Sequence, residues 1–106
     1  MTAKEDTLEL GGNIRLVGFR ELDSSTLIVL KKIVGNTVKR FSEKTTITEL
    51  ALVMKRVHER EKSEIYELKA NLICKGKNYA AAIDDRNLFF AVDKVMKKLE
   101  AEAFGK

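Results

Sequence analysis

Over residues 46–58 and again over 64–75, apolar and polar side chains alternate, interrupted only by the charged run Glu59-Arg60-Glu61-Lys62-Ser63. A period of two marks strands with one buried and one wet face. In the first stretch Thr48, Leu50, Leu52 and Met54 fall on one side, and Glu49, Ala51, Val53 and Lys55 on the other. In the second, Tyr66, Leu68, Ala70, Leu72 and Cys74 read as core, with Glu67, Lys69 and Asn71 turned to solvent. The middle of the chain is thereby committed to a sheet whose apolar face needs a cover.

The flanks supply that cover. Leu27, Leu30, Val34, Val38 and Phe41 recur every three or four residues, which predicts an amphipathic helix over 25–42 after the N-cap cluster Asp23-Ser24-Ser25. Gly35 falls on its polar side, near Lys31, Lys32 and Lys39. A second stripe, Leu88, Val92, Val95 and Leu99, widened by Ala91 and Met96, predicts a final helix opened by Asp84-Asp85-Arg86-Asn87 and fraying at Phe104-Gly105-Lys106. Residues 14–19 read as a short buried strand, Lys75-Gly76-Lys77-Asn78 as a hairpin turn, and 79–83 as a fourth strand. The expected fold is α+β, in the order β-α-β-β-β-α: a four-stranded sheet with two helices packed on one face. Residues 1–12, ending in Gly11-Gly12, read as a flexible arm with room for a short extra strand at Thr7–Leu10. Residues 13–106 read as one domain, since 106 residues hold a single core.

Composition narrows the chemistry. A single cysteine, Cys74, leaves no internal disulfide and no cysteine-based zinc site, and a single histidine, His58, makes a histidine-dependent triad improbable. His58 reads as a solvated or turn-stabilising residue at a strand end. Gly11-Gly12 opens no helix and lacks the Lys-Ser/Thr partner of a phosphate loop. Asp84 and Asp85 are better read as turn formers at a helix N-terminus than as an acid pair. The expectation is a non-enzyme with no cofactor, no metal and no small-molecule substrate. No stretch reaches the roughly 18 apolar residues of a membrane span, and the polar start lacks the apolar core of a leader, so a cytoplasmic location is expected.

The charge is uneven. Lys4 against Glu5, Asp6 and Glu9 gives residues 1–12 a net −2, so the remainder carries +6 of the total +4. Lys31, Lys32, Lys39 and Arg40 on the first helix, and Lys94, Lys97 and Lys98 on the second, lie off the apolar stripes. If the helices pack side by side, these seven form one basic ridge able to displace counterions from a phosphate backbone, with Gly35 a side-chain-free notch. Phe90 falls on the lysine side of its helix, where it could stack on a base or contact a partner.

The segment Gly76–Leu99 resembles the ribosome hibernation-promoting factor family, the small ribosome-associated translation inhibitors that include protein Y. A hairpin strand and a short acidic or polar turn precede an aromatic-small-small-aliphatic-Asp run. Phe89 and Ala91-Val92-Asp93 fill that run, and Lys98-Leu99 the following Lys-Leu pair. Val17-Gly18 and Arg40-Phe41 extend the likeness more weakly upstream. Two departures stand out: Thr37 where the family has a basic residue, and Glu100-Ala101-Glu102-Ala103 where it continues basic. The resemblance implies a short-form, non-enzymatic factor of stressed or resting cells. Its partner would be the small ribosomal subunit and its rRNA, and it would inhibit translation by occupying the tRNA and mRNA decoding region. A different reading remains open from the residues: a protein-interaction or weak homodimerisation module without RNA binding, using Phe90 or the outer sheet face at Ala51, Val53, Ile65 and Ile73.

Overall fold

The computed structural model describes residues 7–11, 13–58 and 64–105. The charged run at residues 59–63, most of the arm, Lys106 and the side chain of His58 lie outside the described residues. The elements are β1 (Thr7–Leu10), β2 (Ile14–Val17), α1 (Ser24–Ser42), β3 (Ile47–His58), β4 (Glu64–Cys74), β5 (Lys77–Asp85) and α2 (Leu88–Phe104).

The sheet is five-stranded and mixed, in the order β1-β2-β3-β4-β5, which corrects the expected four. The added strand comes from the arm: β1 pairs antiparallel with β2, Thr7 opposite Val17 and Leu10 opposite Ile14. Leu8 and Leu10 pack half-buried against the core, and the Arg20 guanidinium donates to the Thr7 carbonyl at 3.2 Å. Four residues of alternation are too few to distinguish a strand from a tail by pattern alone.

β2 and β3 are parallel, so the chain must cross over between them, and α1 is that crossover. The β3–β4 and β4–β5 pairs are antiparallel, which leaves β5 running the same way as β2 and β3. α2 then folds back along β5: Lys94 reaches Asp85 and, further along the helix, Lys98 reaches Ala82. Both helices therefore run antiparallel to the strands they follow and parallel to each other. Their C-terminal ends arrive at the same end of the molecule as the β4–β5 turn.

One core joins the two layers. Leu16, Leu50, Leu52, Leu68 and Leu72 from the sheet meet Leu30, Val34 and Phe41 of α1 and Val92, Val95 and Leu99 of α2, all fully buried. The stripes read from sequence are the buried ones, with two corrections. A register shift between Ile47 and Glu49 lets Ile47 enter the core, whereas Thr48 is exposed; an irregularity of this kind breaks strict alternation at a strand's start. Phe104 does not fray: it closes the last turn of α2 and meets the Phe41 ring edge-on, with centroids 5.2 Å apart.

Two glycines bear opposite constraints. Gly18 has φ +86°, and a Cβ there would run into the backbone carbonyl of Met54 on β3. Gly35 lies mid-helix with nothing within 4 Å of a built Cβ. Gly18→Ala should lower unfolding free energy by at least about 1–3 kcal/mol, the range for strained backbone positions. Gly35→Ala should raise it by up to about 1 kcal/mol through helix propensity. Urea denaturation of the two variants checks both signs.

Candidate nucleic-acid interface

α1 has 19 residues and carries Lys31, Lys32, Lys39 and Arg40 without a single carboxylate. α2 carries Lys94, Lys97 and Lys98 but also Asp93, Glu100 and Glu102, so its side chains sum to zero charge. The two helices contribute unequally to any basic surface.

The partners sharpen the difference. Lys94 donates to Asp85 at 2.7 Å, and Lys97 lies 3.3 Å from Asp93 one turn earlier on its own helix. Lys98 donates to the Ala82 carbonyl at 3.2 Å, on β5, where a cation helps blunt the sheet edge. On α1, Arg40 crosses the seam to Glu100 at 2.8 Å, and Lys44, just past the helix, reaches the same carboxylate at 3.4 Å. Lys31, Lys32 and Lys39 have no ion-pair partner among the described residues.

The single ridge expected from sequence is therefore divided. Lys31 and Arg40 are nine residues apart, about half a turn around the helix axis, so they flank opposite sides of α1. Arg40 lies in the seam against α2, Lys32 and Lys39 look outward, and Lys31 lies on the flank away from α2. Lys98 faces the β5 side of α2. The structure brings Arg40 together with α2 and places Lys32 and Lys39 on a common outer face. It does not bring Lys31 and Lys98 onto one surface.

Both departures from the family pattern have structural roles. Thr37 is buried and its hydroxyl donates to the Ile33 carbonyl at 2.9 Å. Glu100 accepts from Arg40 and Lys44. Phe90 stands 62% exposed in the first turn of α2, its backbone N–H capped by the Asn87 side chain. Ile28, Val29 and Phe89 are exposed near the same end of the helical layer.

Three cations belong to the basic surface that helix-centred reading missed: Lys44, Lys75 and Lys77. The first follows α1 and the others flank Gly76 in the β4–β5 turn. The clue was available, because the element order alone sends the α1 C-terminus and that turn to one end. Among the described residues no three His, Cys, Asp or Glu side chains group as metal ligands, and no helix is long and apolar enough to cross a membrane. No protein-family model, curated protein or solved structure gives a significant match to this chain.

Among the described residues, two carboxyls are held below the ordinary range. Asp85 is lowered chiefly by the Asn87 backbone N–H and then by Lys94. Glu100 is lowered chiefly by its hydrogen bond from Arg40, with Lys44 adding to it. A lowered folded pKa stabilises fully above the unfolded value, about 4.3 for glutamate, and that contribution fades as pH falls through the folded value. Glu100→Gln should therefore be less stable than the parent chain at pH 7. The difference should close as both are titrated below about pH 4, as followed by thermal melts at stepped pH.

Proposed function

We propose that the chain is an RNA-binding, ribosome-associated inhibitor of translation that works by steric occlusion, with α1 as its principal contact. The observation carrying this reading is the charge of α1: four cations, no carboxylate, and three of the cations free of ion pairs among the described residues. The outward face made by Lys32 and Lys39, flanked by Lys31, meets a phosphate backbone with little base preference. The order from β2 to α2, β-α-β-β-β-α, and the segment Gly76–Leu99 support the likeness to hibernation factors. On that likeness the target is rRNA of the small subunit near the decoding region, in the cytoplasm, with no covalent chemistry.

Gly35 lies between Lys31, Lys32 and Lys39 on this face and leaves it open to close backbone approach. α2 contributes less, because its lysines are already partnered. A second reading has its own observation: Phe90, 62% exposed, with Ile28 at 56% and Val29 and Phe89 nearby, makes an apolar patch suited to a protein partner or a second copy.

Sucrose-gradient co-sedimentation with ribosomes separates the two. RNA contact through three free lysines predicts binding whose log–log salt slope is about −2 to −3. Lys32→Glu with Lys39→Glu should abolish co-sedimentation while leaving the circular dichroism spectrum unchanged. Gly35→Ala should weaken binding although it stabilises the fold. A salt-insensitive dimer with no ribosome retention, lost on Phe90→Ser, would favour the apolar patch instead.

A further inference from the structure

Between the β4–β5 turn and the end of α2 lies a cavity of about 280 Å³. Lys44, Lys75 and Lys77 line it, together with Thr45, Tyr79 and Phe104, and no carboxylate among the described residues does. The depression at the opposite end of the helical layer differs in kind: Arg56 and Arg86 there are offset by Glu21 and Asp23.

Part of the need for cations at the helix C-termini is met by backbone N–H groups, which cap the Arg40, Phe41 and Ala101 carbonyls. Glu43 N–H donates to Arg40, Lys44 and Thr45 N–H both donate to Phe41, and Gly105 N–H donates to Ala101, at 2.9–3.2 Å. Lys75 and Lys77 come from a hairpin, not from a helix. Lys75 also holds φ 52° in a two-residue turn with Gly76 at φ 76°, a turn that favours Asn, Asp or Gly at both positions. Lys77 pairs directly with Cys74 across the strands, which puts its side chain on the helix-covered face beside Tyr79.

We propose that this cavity binds a phosphate group, held by the Lys75 and Lys77 ammonium groups and by Lys44, which a bound phosphate would share with Glu100, its partner at 3.4 Å. The site is half open rather than enclosing, with lysines on its rim, which suits a phosphoryl group with its immediate attachment better than an engulfed cofactor. Tyr79 and Phe104 supply an aromatic wall beside it. The phosphate can belong to an RNA strand or arrive as a free anion; the site itself does not depend on the ribosomal reading.

The test is an amide-resolved NMR titration of the full chain at constant ionic strength. One arm uses inorganic phosphate with a chloride control, and the other a 12-nucleotide single-stranded oligouridylate. Saturable shifts at Lys44, Thr45 and Lys75–Lys77 with phosphate and not with chloride support the site. Lys75→Asn with Lys77→Ser, which relieves the turn, should weaken phosphate binding at least about tenfold. If the phosphate is that of RNA, the oligonucleotide shifts the same amides and displaces inorganic phosphate. If it is a free anion, phosphate saturates these amides and the oligonucleotide leaves them unmoved. Absence of local shifts in both arms, or titrations unaffected by the double variant, overturns the proposal. Lys32→Glu with Lys39→Glu should leave the phosphate arm intact, so failure of the α1 reading is distinguishable from failure of this one.

Discussion

Everything in this chain follows from a sheet with one continuous apolar face opposite a mixed one. Leu16, Leu50, Leu52, Leu68 and Leu72 all point to one face, and only a covering layer can remove that surface from water. At about 1.5–3 kcal/mol for each large aliphatic side chain buried, this is the dominant favourable contribution. Two helices provide the cover, and chain order dictates their direction. α1 must return the chain from β2 to a parallel β3, and α2 folds back along β5, which runs the same way. Parallel helices then bring both C-termini, the α1–β3 connection and the β4–β5 turn to one end.

That geometry sorts the charge. The seam near the C-terminal ends joins Arg40, Glu100 and Lys44 over the Phe41–Phe104 ring contact, with Lys44 5.3 Å above the Phe104 ring. A carboxylate shared by two cations at partial exposure contributes modestly to stability. Its larger effect is on what is left over. Glu100 and Asp93 compensate α2 and the seam, whereas Lys31, Lys32 and Lys39 remain uncompensated on α1. The basic surface is one helix and one end of the molecule, not a ridge spanning two helices.

Much of the fold was legible because burial imposes periodicity. The stripes at Leu30/Val34/Val38/Phe41 and Leu88/Val92/Val95/Leu99 needed only counting, as did the alternation of β4. β1 was ambiguous because Leu8 and Leu10 alone define no pattern. The Ile47 shift was hidden because an irregularity adds a residue without a compositional mark. At the site, the identities of the helix cations were legible and their partners only partly so. Asp93–Lys97 is readable from its spacing of four, but Arg40–Glu100 and Lys94–Asp85 join distant or differently folded segments and depend on packing. In the sequence Lys75 and Lys77 mark a hairpin turn, and the packing of α1 and α2 shows which end of the molecule that turn occupies.

The central claim is that RNA contact resides in the uncompensated lysines of α1. Matched neutralisations test it most directly: Lys31, Lys32 and Lys39 to Gln in one variant, and Lys94, Lys97 and Lys98 to Gln in another, with ribosome affinity measured across a salt series. Both remove three charges, so a nonspecific loss of net charge would affect them alike. The account predicts that the α1 variant loses most of its affinity and salt dependence while the α2 variant keeps most of both. Equal losses, or a larger loss from α2, would contradict it.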